Sequence, residues 1–406
     1  MKRSFFESIA SFFAFCCVVF IPFPFNITKV QLGITDFIFG RLIGFVSRNV
    51  FGISLADTKV YSDSVSMYIL VLLLFILSVL LTLLLLRIKK WNLYRRKVFG
   101  FFYRLFFYYL ALQLMKYGAD KLFKNQFYLP EPNTLYTPMG RMDKDLLYWS
   151  SMGTSRFYNI FLGSLEVLAA IFILSKPARL MGLVMSLAIM LNVVAVNFGF
   201  DISVKLYSLF LLFLSLYLLM PYGSRLSQLL LQRKTGVLQP VLDRGAFKNT
   251  FISLSLKWLI AGIICLEVLY PFIKGSKFNG DIARRPYLHG AYEVTQLIAG
   301  KDTLAAKNSP VKRFFIHRDS YMIFQNQEDE MQDYKLSFDP GVSTWMLTDY
   351  QLRTTMVSFA YREADSILLV NYSRDSRAYQ FTAKAIDWRK LPALQKGFHW
   401  TVDGGR

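Results

Sequence analysis

Cysteine, histidine and acid are all scarce in this chain of 406 residues, which holds three Cys, three His, and 27 Asp plus Glu against 47 Lys plus Arg. The cysteines, Cys16, Cys17 and Cys265, lie in apolar blocks and form no CxxC pair. A thioredoxin-like or quinone-coupled disulfide relay therefore lacks its two-thiol unit. Cys16 and Cys17 are adjacent, point to different sides of a helix, and read as small apolar residues. His289, His317 and His399 show no metal-ligand spacing and read as solvated loop or strand residues, so no metal is expected. The absence of His from every apolar block excludes a bis-histidine membrane haem. There is no Walker loop, GxSxG or HExxH, so no soluble-enzyme active site is written, and the residues leave open whether any reaction is catalysed. Charge is also thin, at 18% of residues, beside 54% hydrophobic and 17% aromatic. Soluble domains carry about 25% charged residues. Disorder, collagen and a disulfide-rich secreted scaffold are excluded by the same composition.

What is present falls in blocks long enough to cross a bilayer; Tyr68 to Leu86 contains no charge at all. The reading is an α-helical polytopic membrane protein with about seven transmembrane helices, at 5–25, 67–87, 99–117, 157–175, 180–199, 201–220 and 251–272. Pro22 and Pro24 close the first, and Pro221 closes the sixth. The N-terminal Met-Lys-Arg and apolar run lack an Ala-x-Ala site and read as a retained helix. Loops at 1–4, 87–97, 175–179 and 221–250 carry 15 Lys/Arg in 50 residues, against 10 in 82 for 26–66 and 116–156. The first set is assigned to the cytoplasm. The N-terminus is then inside and the C-terminal segment outside. This rule also accounts for much of the net charge of +20, and no nucleic-acid partner is expected.

Residues 37–56 carry Phe37, Leu42, Phe45, Val46 and Val50 with Arg41 and Arg48, and read as an amphipathic helix lying in the interface. Residues 276–406 change composition. Met356 to Tyr361, Ile367 to Tyr372 and Tyr379 to Ile386 are β-rich, separated by Glu363-Ala364-Asp365 and Ser373-Arg374-Asp375-Ser376, which predicts a small antiparallel sheet.

Ionisable residues inside spans are costly and mark candidate sites. Glu166 lies well inside the fourth span, roughly 14 Å deep at about 1.5 Å per residue. Gly163 and Ala170 share its face and let another helix approach. Asp201 and Lys205 begin the sixth span at i, i+4 spacing, and Asn192 and Asn197 approach the same surface on the fifth. Gln113, Lys116, Asp120 and Lys124 form a stripe on the third. These residues read as one polar cluster opening outward, which is either a lock between helices or a ligand pocket or proton path. Arg104 can snorkel to the cytoplasm, and Glu267 sits at a boundary.

Tyr117-Gly118-x-x-Lys121 with Gln126-Phe127, then Gly163-x-x-Glu166, Arg179, and Asn197-Phe198-x-x-Asp201-x-x-x-Lys205 resemble the DoxX family over residues 99–220. The chain also resembles longer bacterial members with extra helices and an exported tail ending in an aromatic motif, here Phe398-His399-Trp400. The resemblance implies a four-helix membrane bundle related to subunits that work with quinones, and a bacterial inner-membrane location with a periplasmic C-terminal domain. The chain departs from a redox enzyme in lacking a cofactor ligand and a thiol pair. The expected organisation is N-terminal helices over 1–98, the bundle over 99–220, a cytoplasmic loop and seventh span over 221–275, and a β domain over 276–406.

Three functions follow as expectations. In the first, the bundle binds a quinone or another lipid-soluble molecule, with Glu166, Lys205, Asn192 and Lys121 at its polar head and Asp201, Asn197 and Lys116 lining the pocket. In the second, the bundle anchors a β domain that holds a periplasmic or membrane protein partner. The third, an ion or proton conduit through Glu166, Asp201 and Lys205, stops halfway for want of inner polar residues.

Overall fold

The computed structural model describes residues 2–23, 28–231, 250–300, 302–339, 344–374 and 377–395. His399 and its aromatic motif, Pro24, and most of the 221–250 loop lie outside these. The chain divides into two compact units, Met1–Gln126 with Phe157–Phe278, and Phe127–Arg156 with Asn279–Arg406.

The first unit is helical: α1 (Lys2–Phe20), α2 (Thr28–Asn49), α3 (Val65–Arg87), α4 (Trp91–Leu122) and, after the short α5 (Pro132–Leu135) and α6 (Lys144–Thr154) of the second unit, α7 (Arg156–Leu174), α8 (Arg179–Gly199), α9 (Lys205–Leu219), α10 (Gly223–Leu231) and α11 (Thr250–Gly275). Among the described residues seven helices are long and apolar enough to cross a membrane: α2, α3, α4, α7, α8, α9 with the turn that continues it to Tyr222, and α11 from Trp258.

Six of these fall on spans the sequence reading expected, and the seventh, α2, falls on the segment expected to lie in the interface. The first span expected is occupied by α1, whose 19 residues equal the length of α7. The helix expected at 37–56 begins instead at Thr28 and ends at Asn49. Its polar residues weakened the hydropathy signal, yet they serve packing. Thr35 Oγ1 donates to the carbonyl of Phe20, and Gln31 Nε2 to that of Ile21, so they satisfy orphan carbonyls at the end of α1. Phe39 and Ile43 are buried on one side while Phe37, Leu42 and Phe45 are exposed on the other.

The second unit is a β-barrel rather than the small sheet expected. Its strands are β1 (Gly290–Ala299), β2 (Asp302–Ala305), β3 (Arg313–His317), β4 (Tyr321–Gln325), β5 (Met331–Asp339), β6 (Thr344–Thr348), β7 (Thr354–Arg362), β8 (Ile367–Arg374) and β9 (Arg377–Ile386). Consecutive antiparallel pairing runs from β3 to β9, β1 pairs with β3, and β9 returns to β1 with Leu297 opposite Phe381. Eight strands thus close, and β2 is a flap on β1. The interior of an eight-stranded barrel is narrow enough for side chains to fill. Tyr292, Phe314, Met322, Leu336, Trp345, Val357, Leu368 and Phe381 fill it by period-2 alternation, with Trp345 stacked on Phe359 at 4.1 Å. Outside, Phe315, Ile323 and Trp388 are covered by Leu135 and Tyr136 and by the turns around Leu391 and Leu394. Residues 127–156 are therefore part of the barrel unit, although they join α4 to α7 in sequence.

Candidate functional site

The site is built where α4 meets α7. A Cβ on Gly118 would stand 2.8 Å from the carbonyl oxygen of Gly163, and one on Gly163 would stand 2.7 Å from that of Gly118. Only glycine on both helices permits this approach. Three residues beyond each glycine lies a charge, and the crossing brings them together. Lys121 Nζ donates to both Glu166 oxygens, at 2.9 and 2.8 Å. Both side chains are buried, at 8% and 5% exposure, so the pair is a desolvated, two-pronged ion bridge. The Tyr117 ring lies 5.5 Å from the ammonium. Arg179 ties the same two helices further along: its Nε donates to the Ile173 carbonyl at the end of α7, and its guanidinium sits 4.5 Å from the Phe107 ring on α4.

The remaining residues of the expected cluster are placed apart from this pair. Lys116 pairs with Glu267 of α11 at 2.8 Å, so α4 carries two lysines that each grip a glutamate of a different helix. Lys205 pairs with the exposed Asp201 at 2.7 Å at the start of α9, where Asp63 also accepts the backbone N–H groups of Lys205 and Leu206. Asn197 is buried, and its Nδ2 has no hydrogen-bond partner. Asn192 is exposed on α8 and does not turn into the bundle. The sequence signal for Asn192 was its distance from the helix end, which says nothing about face in a helix that is apolar nearly all round.

Two polar features differ from the sequence reading, which set Gln113 in a stripe with Lys116, Asp120 and Lys124 and took His289 as solvated. One is a stripe on α4 at i, i+4 spacing: Tyr109, Gln113, Tyr117 and Lys121. Tyr109 and Tyr207 of α9 are joined through their hydroxyls at 2.8 Å, and Gln113 is fully buried with neither amide atom hydrogen-bonded. The spacing was legible; the burial was not.

The other lies in the barrel unit. Glu131, framed by Pro130 and Pro132, is buried and bonded to His289 Nε2 at 2.6 Å, with Arg318 Nε at 3.2 Å and an Arg285 nitrogen at 3.7 Å. His289 is thus buried in an ionic knot, not solvated as expected. Burial alone would push the Glu131 carboxyl up, but the His289 hydrogen bond and the charges of His289, His317 and Arg285 together hold it below the usual carboxylate value. Burial is also the largest influence on His317, and it lowers that imidazole despite the attraction of Glu131 and Asp319. The knot fastens residues 127–131 to the barrel.

Among the described residues no group of three or more His, Cys, Asp or Glu stands close enough to hold a metal ion. What the arrangement offers chemically is fixed charge and hydrogen-bonding capacity inside an apolar bundle.

No family model matches the chain, and no solved structure matches it. It is similar to the uncharacterized protein YwoB of Bacillus subtilis strain 168, with 32% identity over 111 residues, which is 27% of this chain and 70% of that protein.

Proposed function

We propose that this chain, which belongs to the family of the uncharacterized Bacillus subtilis protein YwoB, is a DoxX-like membrane protein whose helix bundle binds a quinone or another lipid-soluble molecule, as a subunit of a membrane redox system. The observation that carries the reading is the Lys121–Glu166 bridge, a desolvated ion pair kept at a glycine crossing inside an apolar bundle. Intramembrane charge of this kind is costly and marks functional sites. The α4 polar stripe of Tyr109, Gln113 and Tyr117 leads up to the bridge on the same side of the helix. The saturable binding of a tritiated short-chain quinone to protein in nanodiscs tests it: one site per chain supports the reading, and binding that only rises linearly with quinone, as partition into lipid does, contradicts it.

The membrane orientation is part of the same proposal. The basic run Arg87 to Lys97 puts the α3–α4 turn in the cytoplasm. Four candidate spans, α7, α8, α9 and α11, then separate residues 127–156 from Asn279, an even number that returns the chain to its starting side. That agrees with both segments belonging to one barrel unit, here outside the cytoplasm. A cysteine at the exposed Tyr350 of the barrel is expected to react with a membrane-impermeant maleimide in intact cells, and one at Lys90 only after lysis; the reverse pattern refutes the orientation.

A second reading, an envelope interaction protein, is favoured by an open groove of about 780 Å³ on the barrel. Thr344, Ser358, Asn371 and Gln380 lie in one register across four strands there. Ser358→Arg with Gln380→Arg should then release a co-purifying protein; an unchanged set of cross-linked proteins removes this reading.

A further inference from the structure

The barrel carries a feature that neither the ion bridge nor the knot explains, the open groove of about 780 Å³ on the outer face of β6 to β9. Its shape follows from the strands. Thr344, Ser358, Asn371 and Gln380 are successive cross-strand partners, and Gln380 stands opposite Ile298 of β1. Neighbouring strands lie about 4.8 Å apart, so the four polar side chains form a row roughly 14 Å long. Two residues along from Ser358, Asn371, Gln380 and Ile298, on the same face, come Met356, Ser373, Ala378 and Gly300. Ser373 stands opposite Ala378, and the Gly300 N–H donates to the Ala378 carbonyl at 2.9 Å. Serine, alanine and glycine rise little above the backbone, and they leave a trough beside the polar row.

What the groove lacks selects its occupant. Among the described residues no charged side chain lines it. Yet the chain carries a net +20, and the turns that join these strands hold ion pairs, Arg353 with Asp349 and Arg362 with Asp365. A phosphate, sulfate or carboxylate would find no counter-charge here. A lipid tail calls for a predominantly apolar lining. Protein anchors are enriched in Trp, Tyr and Arg and poor in Ser and Thr, the reverse of this row. The row instead offers amides and hydroxyls, each of which both donates and accepts. Among the described residues the side chains of Ser358, Asn371 and Gln380 have no hydrogen-bond partner, so this capacity is open to a ligand.

We propose that the groove binds a neutral oligosaccharide. Each sugar hydroxyl is at once donor and acceptor, as are the amides and hydroxyls of the row, and neither side needs a charge. The C–H faces of the rings rest on Met356, which is 68% exposed, and on Ile298. The trough at Ser373, Ala378 and Gly300 lets the rings lie close to the strands. The proposal goes beyond both readings given above: it concerns the barrel alone, stands or falls independently of any molecule in the bundle, and gives the groove a sugar chain rather than a protein.

The test is binding of the full-length protein in nanodiscs to an array of neutral and uronic-acid oligosaccharides of matched length. The wild type should bind neutral members more tightly than acidic ones. Asn371→Leu/Gln380→Leu removes two amides from the outer face and should weaken that binding by roughly tenfold or more, the worth of about two neutral hydrogen bonds. Ala378→Phe fills the trough without removing a polar group and should weaken it by a similar factor. Thermal melting identifies which variants keep the fold. A wild type that binds no neutral member, or prefers acidic ones, refutes the proposal. Undiminished binding in either folded variant also refutes it, because the sugar is then held elsewhere. A benzophenone side chain at Ser358 that captures one protein in intact cells, beside an array without neutral binders, gives the groove to a protein instead.

Discussion

Removing Glu166 should cost far more than removing the bridge. In Glu166→Ala the Lys121 ammonium is left buried without its carboxylate. At 2.8 Å the attraction in the intact pair is roughly 6 kcal/mol at an effective dielectric of about 20. Desolvating two ions offsets most of it, at several kcal/mol each. Loss of one partner forfeits the attraction and keeps the other ion's penalty, so Glu166→Ala and Lys121→Ala should each destabilise the bundle by about 3–5 kcal/mol. The double variant Lys121→Met/Glu166→Leu removes both penalties and should lie within about 1 kcal/mol of wild type, on either side. Unfolding in mixed micelles, followed by far-UV circular dichroism and arranged as a double-mutant cycle with the single variants Lys121→Met and Glu166→Leu, reads the coupling directly; it should exceed about 2 kcal/mol. Single variants that each cost less than about 1 kcal/mol and simply add would mean that the two groups are hydrated and apart, and the site described for α4 and α7 would be wrong.

Three further outcomes are expected. Gly118→Leu places a side chain where the Gly163 carbonyl and Val167 already lie, forcing α4 from α7 at a cost of about 1–3 kcal/mol or more; thermal melting would show it, and an unchanged midpoint would remove the crossing. Acid should weaken the barrel unit through two groups. His317, held below its ordinary value of 6.5, binds a proton more readily when unfolded, so its contribution is full above pH 6.5 and fades as pH falls below it. Glu131, held below 4.5, contributes fully above that value and loses its contribution as pH falls through its folded value. Glu131→Gln should therefore flatten the loss below pH 4.5 and, by removing a charge that raises the His317 imidazole, deepen the His317 step; an identical acid profile would contradict the knot. Finally Asn192→Leu, on the exposed side of α8, should change neither stability nor quinone binding; a lost binding site would return Asn192 to the pocket.

The helices were legible because α3, α7 and α8 are apolar over full crossing lengths and end at clear turns. The start of α2 was not, because Gln31 and Thr35 look like surface residues until the open carbonyls at the end of α1 are seen beside them. Glu166 could be picked out as a lone carboxylate deep in an apolar block, with Gly163 announcing a close neighbour. Its partner could not be chosen, since Lys116, Lys121 and Lys205 are equivalent in a list of spans. Only the seating of Gly118 against Gly163 selects Lys121. The Lys116–Glu267 and Glu131–His289 pairs join residues 151 and 158 positions apart, and without the fold nothing in either neighbourhood points to the other. The late strands β7, β8 and β9 were readable from β-branched and aromatic runs between turns. Barrel closure was hidden, because it depends on β9 returning to β1 across a register shift between Val294 and Gln296.

The central claim, that the bundle holds a lipid-soluble molecule, is tested most directly by native mass spectrometry of the protein ejected from its own membrane, with every released small molecule identified. The account predicts one ring-bearing, lipid-soluble molecule per chain, retained through mild activation that strips bulk lipid. A chain that emerges bare, or carrying only the lipids of the surrounding bilayer in their bulk proportions, would contradict it.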